Sequence, residues 1–170
     1  MGTPFRRDDR IASFSSRGPT AYDGMAKPDL LAPGNRVVSL RAPGSLLDTM
    51  HPENRVLDGG RGLAPSRYFV LSGTSMSAPV VAGIAARVLG VCPSAGPNTV
   101  KAALMLSAQR TGGWDPVLQR LAERYDWMAQ GAGYVNAPGA SVAAMFLTGT
   151  EPHEPALGER GQSFILDESI

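Results

Sequence analysis

Residues 80–89, Val-Val-Ala-Gly-Ile-Ala-Ala-Arg-Val-Leu, are apolar except for Arg87 and run straight on from Ser72-Gly73-Thr74-Ser75-Met76-Ser77-Ala78-Pro79. A helical stretch apolar on every side is expected to be buried nearly all round, so the rest of the fold must wrap it. Gly73 has no Cβ and admits close approach of another backbone, and Pro79 is expected in the first helical turn, where its missing N–H loses nothing. Ser75 therefore stands at a helix start, where backbone N–H groups lack intrahelical partners and the positive end of the helix dipole lies. A serine hydroxyl attacks a carbonyl when a base takes its proton, and the resulting oxyanion needs N–H donors. The N–H of Ser75 is placed to be one of them. The plain alternative is a serine or threonine that only caps a helix. A G-x-S-x-G elbow is excluded, because Ser77 stands where that motif needs glycine.

Around this centre the local patterns are short. Ile11 and Phe14 alternate with polar residues ahead of Gly18-Pro19, which predicts a strand and a turn. Pro28 and Pro33-Gly34 bracket Asp29-Leu30-Leu31-Ala32, so that stretch is extended or turning. Residues 37–40 read as a short buried strand. Pro97 opens a helix with Val100, Ala103, Leu104 and Ser107 on one face, and Asn136 precedes a last helix running through Met145.

Several of these strings together resemble one family. Gly73-Thr74-Ser75-Met76-Ser77-Ala78-Pro79 resembles the G-T-S-M-[AS]-x-P nucleophile segment of the subtilisin-like serine proteases, the subtilases. The stretch from Ile11 to Pro19 resembles their "ASFSSRGP" segment, Lys27 to Gly34 their "KPDVxAPG" segment, and Gly131 to Ala137 their "GxGxVNA" turn, all in the family's order. The resemblance covers about residues 11 to 145 and implies an α/β fold, a three-layer α/β/α sandwich with a mainly parallel sheet, incomplete in this chain. It implies residues 1–149 as the carboxy-terminal part of a catalytic domain, with 41–67 a loop insertion and 150–170 a tail or the start of a further domain. Ser75 is then the nucleophile of a serine endopeptidase acting on peptides or proteins, Thr74 supports it, and Ser72 and Gly73 border the substrate cleft. Met76 flanks the nucleophile, where oxidation would impair activity; otherwise it is a packed methionine. Asp29 matches a position that ligates a cation, in some members calcium, although a turn aspartate is the default and no cofactor is expected here.

The family's other catalytic strings are missing. Neither D-[ST]-G nor H-G-T-H occurs; Asp58-Gly59-Gly60 and Asp23-Gly24 are the nearest pairs and lie in the wrong region. Gly34-Asn35 follows the "APG" segment rather than preceding "ASFSS", so it does not supply the oxyanion asparagine. His51 and His153 read as solvated loop residues, and Glu53 as a surface charge. Loss of the base in such a site removes on the order of 10⁶ in turnover. The isolated chain is thus expected to be inactive, and the expected partner is the missing amino-terminal part of the catalytic domain. A non-catalytic binding protein and one half of a split protease remain as alternatives. With net charge +1 and scattered arginines, neither nucleic acid nor membrane is an expected partner. No run of membrane-spanning length or signal core is apparent; a complete parent is expected to be secreted. Cys92 is read as a buried, inert thiol.

Overall fold

The computed structural model describes residues 9–56, 66–110 and 126–149, together with the backbones of Trp114–Asp115 and Arg120–Leu121. Its centre is a packing of three helices, α2 (Thr74–Val91), α3 (Pro97–Ser107) and α5 (Ala137–Thr148), with the short α4 (Trp127–Gln130) ahead of α5. Val100, Ala103 and Leu104 of α3 meet Ala140 and Ala144 of α5 in a core closed by Val88, Cys92 and Val135. Alanines at Ala103, Ala140 and Ala144 are fully enclosed, and small side chains there let the helices approach closely. Asn136 caps α5, its side chain accepting from the Gly139 N–H at 3.2 Å. The α3 face read from the sequence is the buried one, and α5 runs three residues beyond Met145 to a left-handed cap at Gly149.

A short stretch ties this helical layer to the amino-terminal loops. Leu31 donates to Gly133 O and accepts from the Val135 N–H, while Tyr134 exchanges bonds with Gln109. The Leu31–Tyr134 bridge is the one parallel pairing among the described residues. The named ladders are antiparallel. β3 (Tyr68–Leu71) lies between β1 (Val37–Leu40) and β2 (Arg55–Val56), with Val37 opposite Leu71 and Arg55 opposite Phe69; β4 (Trp114–Asp115) pairs with β5 (Arg120–Leu121).

Five expectations need correction. Residues 11–14 form no strand: the Ser15 N–H closes a turn onto Ala12 O at 3.0 Å, and Phe14 is exposed, because no described strand lies alongside. The β1 strand is not buried, since nothing described covers the face carrying Val38 and Leu40. The α2 helix is not buried all round; Val88 is its one buried residue, and Leu89 and Val91 face solvent. At 18 residues and mean hydropathy 1.4, α2 also reaches the length and apolarity of a membrane-spanning helix. Finally, part of the supposed loop 41–67 is ordered. Ser45 caps α1 (Leu46–Met50), a 3-10 turn follows at Pro52–Asn54, and Asp48 holds the segment together. That buried carboxylate accepts from Arg41 Nε at 2.6 Å and Nη2 at 2.8 Å, from Arg55 Nε at 2.8 Å and from the Gly44 N–H at 3.0 Å.

Candidate active site around Ser75

The approach to α2 is built by clamping one loop against another. The Gly73 N–H donates to Gly34 O at 2.8 Å. Ser72 Oγ accepts from the Arg36 N–H at 2.8 Å and donates to Asn35 Oδ1 at 3.0 Å. Ser77 Oγ donates to Ala32 O at 3.1 Å. Loop 32–36 therefore grips the turn into α2 on both sides of Ser75. Such an approach needs glycine at 34, since a Cβ there would meet Ser77 Oγ and lie 2.9 Å from Gly73 O. Gly73, at φ 156° and ψ 161°, holds a backbone conformation open in practice to glycine alone.

The first turn of α2 is left unsaturated where Ser75 stands. Gly73 N–H is taken by Gly34, and Met76 N–H donates to Gly73 O at 3.0 Å. The N–H groups of Thr74 and Ser75 have no acceptor among the described residues, and neither does the Ser75 hydroxyl. Pro79 stands in the second turn rather than the first, four residues after Ser75. Having no N–H, it cannot donate to the Ser75 carbonyl as the helical pattern would require. Ser75 is solvent-exposed, with an open hydroxyl and an open N–H at the positive end of an 18-residue helix.

Two cavities flank the same helix. One, of about 420 Å³, lies against Met76, Pro79 and Val80 and is walled by Val37, Leu47 and Leu71. The other, of about 1360 Å³, runs along Thr74, Ser77, Ala78 and Val81. Ser75 sits on the helix between them.

The remaining candidates fall elsewhere. His51 Nδ1 lies 3.0 Å from Glu53 Oε1 on the exposed segment after α1, and neither is bonded to Ser75. The Glu53 carboxyl is held below the usual range by its own backbone N–H first and by His51 second. His153 and Asp58 lie outside the described residues. Asp29 is engaged by Lys27 Nζ at 2.6 Å and Lys101 Nζ at 3.1 Å, and these ammonium groups, Lys27 foremost, lower its pKa. Among the described residues no three His, Cys, Asp or Glu side chains come together as a metal site would need. Cys92 is buried beneath Thr148, away from solvent. The sequence alone did not reveal the clamp between loop 32–36 and the turn into α2, made through Asn35, Arg36 and Ser77. A signal was present: two small-residue turns, Pro33-Gly34-Asn35 and Ser72-Gly73-Thr74, each next to a short β-rich run.

Comparison with known proteins bears on the family and the fold. The subtilase family model, peptidase S8, matches residues 5–141. Serine protease AprX of Bacillus subtilis strain 168 is 43% identical over 130 residues, which is 76% of this chain and 25% of AprX. Subtilisin-like protease SBT3.2 of Arabidopsis thaliana is 33% identical over 139 residues, 78% of this chain and 16% of that protein. Among solved structures, fervidolysin from Fervidobacterium pennivorans, a keratinolytic enzyme related to subtilisin, superposes with a TM-score of 0.53 at 29% identity, covering 78% of this chain and 17% of fervidolysin. The chain thus spans a quarter or less of the length of these relatives. With the family model matching residues 5–141 and the α/β architecture in accord with it, this chain belongs to the subtilase family of serine peptidases.

Proposed function

We propose that this chain is the nucleophile-bearing part of a serine endopeptidase, with Ser75 forming the acyl-enzyme. The observation that carries the reading is the open hydroxyl and open N–H of Ser75 at the start of α2, inside the family's nucleophile string. Ser75 Oγ adds to the scissile carbonyl while a histidine takes its proton. The oxyanion forms against the Ser75 N–H, and collapse returns the proton to the leaving amine, leaving an ester on Ser75 that water then hydrolyses. Ser72, Gly73 and Thr74 border the cleft in which the peptide lies. Met76 packs behind the nucleophile.

The histidine, its orienting aspartate and a second oxyanion donor have no matching string in this sequence, so polypeptide beyond it supplies them. Alone, the chain then retains at most the catalysis that binding and one N–H donor provide, on the order of 10⁶ below a complete site. Asp29 serves as a turn anchor between Lys27 and Lys101; any calcium of a complete domain would need ligands from outside this chain. The test is hydrolysis of a chromogenic peptide by the chain alone and by the chain joined to a subtilase segment bearing the histidine and aspartate. Turnover is expected only in the joined protein, and its Ser75→Ala variant should lose at least a thousandfold. Full turnover by the joined Ser75→Ala variant overturns the proposal.

A further inference from the structure

We propose that the outward face of the β1-β3-β2 sheet is a second binding site for the polypeptide substrate, taking an apolar segment flanked by acidic residues; that the segment belongs to a substrate rests on the reading of Ser75 as nucleophile. Side chains alternate along a strand, so the register sorts the sheet into two faces. Val38 opposite Val70, and Leu40 and Val56 beside Tyr68, share one face. Val37, Ser39, Phe69 and Leu71 share the other, and Phe69 is buried there. The first face is open: Val38 is 55%, Leu40 78% and Tyr68 42% exposed. Apolar and aromatic side chains side by side on an exposed sheet face mark an interaction site.

Charge and position narrow the occupant. The described residues of the sheet and its connections, 35–56 and 66–72, carry Arg36, Arg41, Arg55 and Arg67 against Asp48 and Glu53. Arg41 and Arg55 both bond Asp48, and Glu53 faces His51 at 3.0 Å. Arg36, just before β1, and Arg67, just before β3, are exposed, and their guanidinium groups have no partner among the described residues. Because β1 and β3 are antiparallel, these two arginines stand at opposite ends of the face, with four paired positions between them. An apolar strip with a free cation at each end fits an apolar segment with a carboxylate at each end. Two copies of the chain would instead set arginines against arginines. The face is also continuous with the candidate active site. β3 runs on through Ser72-Gly73-Thr74 to Ser75, and the Arg36 N–H donates to Ser72 Oγ at 2.8 Å. Arg36, at φ 53°, is the only non-glycine residue with a positive φ among the described ones, held there by that bond at the end of the face nearest the serine. A polypeptide leaving Ser75 on the side of loop 32–36 therefore passes over this face.

The experiment uses the full chain as Ser75→Ala, so that cleavage does not interfere, and follows the fluorescence anisotropy of a labelled peptide, Val-Ile-Val-Phe between paired glutamates. Saturable binding is expected, at least tenfold tighter than for the same peptide with lysines in place of the glutamates. Val38→Glu and Leu40→Glu, at exposed positions that leave the core untouched, should each weaken it at least tenfold. Arg36→Glu should reverse the preference toward the lysine peptide. Phe146→Glu, on the exposed face of α5, should change nothing. In the chain joined to the histidine-bearing segment, Leu40→Glu should raise the KM of a long substrate carrying this segment at least tenfold. Its kcat, and turnover of a short chromogenic peptide, should stay as they were. A joined protein that binds the segment and cleaves nothing would sink the nucleophile reading while the binding site stands. The site itself is overturned by no binding to a chain folded by circular dichroism, by equal binding of the lysine peptide, or by equal weakening through Phe146→Glu. Self-association or binding to phosphatidylserine vesicles that Leu40→Glu abolishes overturns it too. So does protection of β1 amides in the chain alone that Phe164→Glu removes, which would assign the face to the chain's own residues 163–168.

Discussion

Replacing Gly34 by alanine should damage the turn into α2 more than its size suggests. The new Cβ would meet two groups of different stiffness, Ser77 Oγ and, at 2.9 Å, Gly73 O. The hydroxyl can swing aside by giving up its bond to Ala32 O, a loss of about 1 kcal/mol. The carbonyl cannot, because it belongs to the backbone and accepts from the Met76 N–H. Loop 32–36 must therefore back away from residue 73, stretching the Gly73 N–H bond to Gly34 O. Overpacking of this kind costs about 1–3 kcal/mol. Together the two losses make about 3 kcal/mol, or a fall of about 1.5 M in the urea midpoint at a slope of about 2 kcal/mol/M. Urea unfolding followed by circular dichroism measures this directly. Adding Ser77→Gly should recover only the hydroxyl part, about 1 kcal/mol, since Gly73 O stays in place. A midpoint shift equivalent to less than about 0.5 kcal/mol for Gly34→Ala, or complete rescue by Ser77→Gly, would refute the clamp between the two loops.

Three further outcomes follow from the same structure. Val88→Ala empties a fully enclosed site among Cys92, Ala103 and Ala144 and should cost about 2–3 kcal/mol in the same unfolding assay. Asn136→Ala removes the cap of α5 and should cost about 1 kcal/mol, while Asn136→Asp keeps most of it. The Arg41 guanidinium first, and Arg55 second, hold the Asp48 carboxyl far below the usual carboxylate range. A depressed carboxyl adds stability above its unfolded pKa of about 3.9, lost as pH falls below it. Acid titration of Asp48→Asn should thus show a flatter limb below about pH 4 than the parent; an unchanged limb would contradict the assignment.

What the sequence made legible was local and self-contained. The α3 face of Val100, Ala103 and Leu104 was readable because its partners, α5 and the 131–135 turn, belong to this chain. The start of α2 was readable because the unusual string Gly-Thr-Ser-Met dictates a turn into a helix. The environment of α2 was not, since an apolar sequence states what wants burial and not what is present to bury it. The same reasoning misjudged β1 and residues 11–14, whose strand character depends on neighbours absent from the described residues. Asp48 was hidden for a different reason. Its arginines stand seven residues away on either side, a spacing that carries no periodic signal until the chain folds back at α1. The grip of Asn35 and Arg36 on Ser72, across more than thirty-five residues, is likewise a tertiary fact.

The central claim is that Ser75 is the reactive serine, and site mapping of a fluorophosphonate adduct tests it most directly. The chain, joined with the histidine-bearing segment, is treated with the probe, digested and sequenced by mass spectrometry. One adduct is expected, on Ser75, absent from Ser75→Ala and retained in Ser77→Ala. An adduct on Ser72 or Ser77, or labelling that persists in Ser75→Ala, would contradict the account.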